Sequence, residues 1–158
     1  GDQIVGVYYT FFDKYGLGLI NINTETITEF CFCPKSSDYS AIRKVKWSFT
    51  ATFLSIGYDF NINKFNINSL FGILLNGTVE HEDGFGAGTS HDNSVDRSSY
   101  NFMINFGYRG IREYGIGISY YNLKQGGNNV IPWGPEQFEL KPATKRGILP
   151  VLWIGFNW

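Results

Sequence analysis

A period of two restricts this chain more than any other feature. In "SSYNFMINFGYR" the bulky residues Tyr100, Phe102, Ile104, Phe106 and Tyr108 occupy every second position, with Asn101, Met103, Asn105, Gly107 and Arg109 between them. Successive side chains of a strand point to opposite faces, so this is an extended segment with one bulky face and one small or polar face. After only "GIR", "EYGIGISYYNL" sets Tyr114, Ile116, Ile118 and Tyr120 against Gly115, Gly117, Ser119 and Tyr121. So short a connector between two alternating runs predicts an antiparallel hairpin.

The design recurs. "LSIGYDF" puts Leu54, Ile56, Tyr58 and Phe60 against Ser55, Gly57 and Asp59. After "NINK", Phe65, Ile67, Phe71, Ile73, Leu75 and Val79 oppose Asn66, Asn68, Gly72, Asn76, Thr78 and Glu80. "QIVGVYYTFF", the turn "DKYG" and "LGLININTETITEF" follow the plan less cleanly, and the last strand spans roughly 147 to 158, with Leu152, Ile154 and Phe156 on one face. The expected fold is therefore all-β, a small antiparallel up-and-down barrel in one domain over residues 1–158.

The bulky face decides the surroundings. Left in water it would be an aggregation site, whereas in a membrane barrel it meets lipid and the small face crowds the lumen. Glycine on the small face suits a narrow interior filled by side chains. The composition agrees: 18% aromatic, 19 Gly and only 17% charged. No window approaches the roughly 18 consecutive apolar residues of a membrane helix. Alternating strands keep the mean hydropathy ordinary, at -0.15. Aromatics near strand ends (Tyr58, Phe60, Phe65, Tyr100, Tyr108, Tyr114, Tyr120) suit two interfacial girdles. The competing arrangement, a soluble lipid-binding barrel with the bulky face inward, would leave an outer surface of Gly, Asn and Ser unusually poor in charge.

Short connectors ("DKYG", "NINK", "GIR") alternate with long polar ones at roughly 34 to 43, 81 to 97 and 125 to 146. In an outer-membrane barrel short turns are periplasmic and long loops external. Seven strands are visible, and the alternation places Gly1 outside and the C-terminus in the periplasm. Bacterial single-chain barrels have even strand numbers. One strand is thus expected ahead of Gly1 or inside a loop, where the best candidate, "NVIPWGPEQFEL", carries Pro132 and Pro135, which speak against a laddered strand. Gly1-Asp2-Gln3 shows no signal-peptide features, so the chain reads as mature, trimmed or never exported.

"GYDFNINKFNINSLFG", Ser119-Tyr120-Tyr121 and the terminal Gly155-Phe156-Asn157-Trp158 resemble the OmpX/Ail family of outer-membrane proteins, which includes Lom, PagC and Rck. The resemblance runs from about residue 47 to the end and is weaker before it. It implies an eight-stranded barrel whose first strand is the one not seen here. It further implies residence in the outer membrane of a Gram-negative cell with loops at the surface. The implied work is adhesion to host cells or matrix and protection from complement, with no enzymatic activity and no cofactor. Gly155, Phe156 and Trp158 would be the signal read by the barrel-assembly machinery, with Trp158 where the family usually has Phe. The chain departs from the family in the absent strand, in the insertion "QGGNNVIPWGPEQFELKPATK" and in Cys31 and Cys33.

Several clusters invite chemistry. Cys31 and Cys33 lack companion ligands and read as ordinary thiols, since a closed metal site needs about four. Ser90, His91 and Asp92 are adjacent in a glycine-rich loop, which does not supply the fixed geometry of a triad; the alternative, an outer-membrane enzyme acting on lipid A or peptides, would use His91 as base. His81, Glu82, Asp83, Asp92 and Asp96 offer hard oxygen ligands but read as a solvated acidic loop, with no metal expected. Lys35, Arg43, Lys44 and Lys46 gather positive charge that at an outer rim could hold lipopolysaccharide phosphates or sulfated glycans, or serve only as a solvated face. With Phe85 and Trp133 they are the candidate contact residues. Asp59, Glu80 and Arg109 fall in the inward set and should find partners there, because unpaired buried charge is costly. A net charge of -1 gives no argument for a nucleic-acid partner. The expected partners are outer-membrane lipid and lipopolysaccharide, the assembly machinery, and host matrix or complement-regulatory proteins.

Overall fold

The computed structural model describes residues 1–12, 14–32, 41–83, 94–110, 112–127, 129–133, 136–140 and 142–156. Strands β1 (Gln3–Phe11), β2 (Tyr15–Phe32), β3 (Ala41–Ile62), β4 (Phe65–Asp83), β5 (Tyr100–Tyr108), β6 (Arg112–Lys124) and β9 (Thr144–Phe156) form one antiparallel sheet in the order β1-β2-β3-β4-β5-β6-β9. Each strand pairs with its neighbour in sequence, save for a hairpin of β7 (Asn129–Trp133) and β8 (Glu136–Leu140) that stands as a sheet of its own between β6 and β9. The main sheet curls into a half-barrel, and no helix occurs among the described residues.

Expectation and structure agree on the seven strands and the up-and-down order, and differ in detail. Within "NVIPWGPEQFEL", Asn129–Trp133 and Glu136–Leu140 are laddered after all, with Pro132 opposite Gln137, but as a two-stranded sheet that leaves the direction of β9 unchanged. An isolated hairpin accommodates a proline that a central strand would not. β3 begins at Ala41 and β4 reaches Asp83, so two of the supposed long loops start later or end earlier than expected. The last strand is Thr144–Phe156, and Asn157 and Trp158 lie outside the described residues.

At the short-turn end the bulky face is outward. Phe102, Phe106, Ile116 and Ile118 are exposed and Ile104 half-exposed, on the convex side, which overturns the arrangement with these residues in an enclosed interior. Leu152 and Ile154 on β9 are 84% and 75% exposed. Phe11, Tyr15 and Tyr58 form one run of ring contacts near the short turns, and Phe65, Tyr108 and Tyr114 another. Higher on the same face, Phe71, Tyr100 and Tyr120 form a third.

The concave side at this end is polar. Asp59 is 6% exposed and accepts hydrogen bonds from Tyr8 Oη (3.0 Å), Thr10 Oγ1 (2.7 Å) and the Asn68 amide, while Asn105 donates to Asn68 Oδ1 (3.2 Å). The buried carboxylate is thus met by three neutral donors. Arg109 pairs with Glu113 at 3.1 Å. Gly16 lets Tyr8 reach Asp59, since a Cβ there would lie 1.8 Å from the Tyr8 oxygen.

Glu80 is the exception to the inward set. Phe53 pairs with Leu74 and Thr52 with Asn76, so Leu75 is an extra residue in β4. A bulge of one residue exchanges the faces of everything beyond it. Ile73 and Leu75 both point outward, Val79 turns into the core at 1% exposure, and Asn76, Thr78 and Glu80 become exposed, against expectation.

Candidate functional site

β2, β3 and β4 run far beyond their neighbours at the long-loop end. β1 stops pairing at Gln3 opposite Asn23, whereas β2 stays laddered to β3 as far as Phe32. The three strands therefore project as a ribbon made of residues 24–32, 41–50 and 76–83.

Alternation continues into the ribbon with the roles exchanged. On β3 the inward residues Val45, Trp47, Phe49, Ala51 and Phe53 are all at or below 1% exposure, followed by Ser55, Gly57 and Asp59 nearer the short turns. The outward residues change in the opposite sense, from Lys44, Lys46, Ser48 and Thr50 to Ile56, Tyr58 and Phe60. The core is thus on the concave side of the ribbon, as in a sheet solvated on one face. Trp47 anchors it, donating from Nε1 to Thr28 Oγ1 at 2.8 Å and lying 5.4 Å from the His81 ring.

Residues 94–99, with Leu123, Gln125 and Ala143, close this core from behind. Val95 donates from its backbone to Gly77 O (3.1 Å), Asp96 to Lys124 O (2.8 Å) and Gln125 to Ala143 O (2.8 Å). Val95, Leu123 and Ala143 are buried against the ribbon. Gly77 permits the approach, because a Cβ there would stand 2.7 Å from Val95 Cγ2. The side chain and then the backbone amide of Ser98 lower the Asp96 carboxyl from its ordinary value.

Where ribbon meets barrel, the two open edges of the sheet are tied by a carboxylate. Asp2 accepts from Tyr121 Oη on β6 (2.6 Å) and from Thr24 Oγ1 on β2, and pairs with Lys145 Nζ on β9 at 3.5 Å. Burial pushes this carboxyl up, but the two hydroxyl bonds and the lysine outweigh it and hold Asp2 below the usual value. Gly147 leaves room for the Tyr121 phenol to pass.

The outer face of the ribbon carries Glu25, Ile27 and Glu29 on β2 and Lys44 and Lys46 on β3. Lys44 Nζ lies 2.9 Å from Glu29, and Lys46 Nζ 2.9 Å from Glu25. The second bond lowers the Glu25 carboxyl and raises the Lys46 ammonium from their ordinary values. Beside them a depression of about 370 Å³ is bounded by Gly1, Asp2, residues 25–27, Lys46 and Lys145.

Of the candidate contact residues, the structure brings together only Lys44 and Lys46, each beside its own glutamate. Arg43 belongs to β3 and Trp133 to β7, but their side chains lie outside the described part. Lys35 and Phe85 lie outside the described residues altogether, as do Cys33, Ser90, His91, Asp92 and Trp158. Gly155 is half-buried on the inward face of β9, and Phe156 ends that strand. No group of three metal-ligating side chains occurs among the described residues. Sequence reasoning missed the ribbon itself. Its signal was "KVKWSFTATF", where polar and charged residues alternate with bulky ones.

Comparison of the chain with protein-family models, with curated proteins and with solved structures finds no match.

Proposed function

We propose that this protein is an outer-membrane surface protein that seats its apolar-faced half in lipid and holds the ribbon outside the cell as a contact surface for adhesion and complement resistance. The observation that carries the reading is the inversion of polarity along single strands. A sheet in one solvent keeps one face polar throughout; here the two faces of β3 exchange polarity near Phe53 while the same set of residues stays inward, which fits a strand passing from hydrocarbon into water. The dimensions agree. From Tyr100 to Tyr108 the strand climbs roughly 27 Å, about 21 Å along the normal at a tilt of ~40°, against an apolar band of about 25 Å in such barrels. The outer rings at either end of that rise sit where interfacial aromatics belong.

The reading assigns no catalysis, and it treats lipid and the barrel-assembly machinery as the partners of the lower half. It draws on the resemblance to the OmpX/Ail family for the biological outcome, and on the ribbon for where contact occurs. Lys44 and Lys46 belong to that surface as members of ion pairs, and Lys35, Arg43, Phe85 and Trp133 as candidates beside it. Gly155, Phe156 and Trp158 are the proposed assembly signal.

Reconstitution into vesicles tests the reading. Protease added outside should spare β5 and β6 and cut only ribbon and loops, and cells displaying the protein should bind matrix-coated surfaces more than cells displaying a form with residues 25–32 and 41–48 replaced by a tight turn. Recovery of the folded protein from water without detergent would refute the membrane seat, and equal adhesion by the two forms would refute the role of the ribbon.

A further inference from the structure

We propose that the outward rim of β5, β6 and β9, just above the upper tier of aromatic rings, holds the phosphate headgroup of a membrane lipid, with Arg146 and Lys124 as its cations. The proposal deepens the membrane reading and rests on it for the presence of lipid at this level.

Cations at the long-loop end fall into two sets that the fold treats differently. On the ribbon, Lys44 and Lys46 each lie 2.9 Å from a glutamate. On the opposite flank, Arg97, Lys124 and Arg146 form no ion pair with any described residue. Asp96, the carboxylate beside Lys124, is held instead by the Ser98 amide at 2.7 Å.

Register builds the site. Tyr100 on β5, Asn122 on β6 and Arg146 on β9 stand in one row on the outward face. Asn122 is 5% exposed and accepts from Arg146 Nε at 3.3 Å. A guanidinium bound through Nε keeps its two terminal nitrogens for a ligand, and that fork matches phosphate oxygens. Lys124 lies opposite Thr144, so it and Arg146 are diagonal neighbours, with Cβ atoms roughly 7 Å apart. Lys124 Nζ donates to Ser98 Oγ at 3.3 Å, which leaves further donors on the ammonium. Exposed Arg97 sits in the turn next to Ser98.

The residues below the row favour a lipid. Tyr120 lies beneath Asn122 on the same face, its ring 6.0 Å from that of Tyr100. Ile148, opposite Tyr120, is 68% exposed. The outward face thus passes from an apolar side chain through phenols to cations, the order in which an acyl chain, its ester region and its phosphate follow one another. Interfacial phenols and long basic side chains that reach for phosphates follow the same gradient. A phosphate free in water would gain nothing from Ile148, which selects the lipid as its source.

The test uses the full chain folded in a neutral detergent, with phosphatidic acid, phosphatidylglycerol or phosphatidylcholine added and the bound lipid counted by native mass spectrometry. Phosphatidic acid, whose phosphate monoester carries the most charge, should bind most tightly and phosphatidylcholine least. Arg146→Gln with Lys124→Gln should weaken phosphatidic acid about 25-fold, at roughly fivefold per cation, and leave phosphatidylcholine unchanged. Should that pair of changes prevent folding, Arg146→Gln alone should show the single step. Lys44→Gln with Lys46→Gln should change nothing, and inorganic phosphate in large excess should leave the lipid in place. No preference among the three lipids, a preference kept by the Arg146 variants, an equal loss in the Lys44 and Lys46 variant, or displacement by inorganic phosphate would overturn the proposal. Insertion into phosphatidylcholine vesicles is measured separately, so failure of the membrane seat is told apart from failure of this site.

Discussion

The lower and upper halves of β3 are one continuous strand laddered without a break to β2, with the β4 bulge at their boundary, yet they solve opposite problems. Below Phe53 the outward face is Ile56, Tyr58 and Phe60, and the interior holds Ser55, Gly57 and Asp59. Above it the outward face is Lys46, Ser48 and Thr50, and the interior holds Trp47, Phe49 and Ala51. Pairing to β2 does not distinguish them; the polarity of the side chains on each face does. Backbone pairing therefore fixes the shape of the sheet, while side-chain polarity sets the medium each part suits, hydrocarbon below and water above on the proposed reading.

Because the two halves bury opposite kinds of side chain, they should respond differently to matched substitutions. Trp47→Ala should have the largest effect, about 3–5 kcal/mol, because a fully buried indole is lost together with the Nε1 bond to Thr28. Denaturant unfolding measures it, and hydrogen exchange should locate the loss in β2–β4 rather than in β5 and β6. Ile118→Arg comes next. It puts a charge on the convex face between the two tiers of aromatic rings, where about 2–4 kcal/mol is expected for a protein folded into vesicles, while Thr50→Arg on the outer face of the ribbon should cost almost nothing. Equal effects at positions 118 and 50 would break the comparison.

The lower half was legible because two cues coincide there. Short connectors such as "NINK" delimit the strands, and Asn63 accepts the positive φ of 54° that the turn requires. Between such turns, bulky and small residues alternate without charge. The ribbon was not legible, because a period of two reports that there are two faces without saying which one is dry. "KVKWSFTATF" alternates as strictly as "SSYNFMINFGYR", and only the charges at Lys44 and Lys46 hint at the exchange. The bulge at Leu75 was also invisible, since no proline or glycine marks the residue itself, and it misplaced Val79 and Glu80. At the candidate surface, the lysines could be read as a cluster but their partners could not, because Glu25 and Glu29 arrive by cross-strand register from another element.

A smaller and pH-dependent effect belongs to the junction of the two halves. The Asp2 carboxyl sits below its ordinary 3.8 in the folded chain. A depressed folded value means that the unfolded state binds the proton first, so the stabilisation is complete above 3.8 and is lost as pH falls through the folded value. Asp2→Asn should therefore lower the unfolding midpoint at neutral pH and leave it less sensitive to acid below pH 4. A wild-type acid profile matched by the variant would show that the edges are not held by this group.

The smallest effect is expected at the ion pairs on the ribbon. Lys44 and Lys46 lie on an open face, where water and salt screen the attraction and holding long side chains in place costs entropy. Lys44→Ala with Lys46→Ala should leave the unfolding midpoint unchanged in moderate salt, in contrast to Trp47→Ala, whose side chain shares the same strand but points the other way. The double change should, however, raise the net negative charge of the outer face by exposing Glu25 and Glu29 to any approaching ligand. If the basic cluster is the contact site for lipopolysaccharide phosphates, the variant should lose affinity for them; undiminished affinity would remove Lys44 and Lys46 from the contact surface. Titrating lipopolysaccharide against the variant and the unchanged protein decides between the two outcomes.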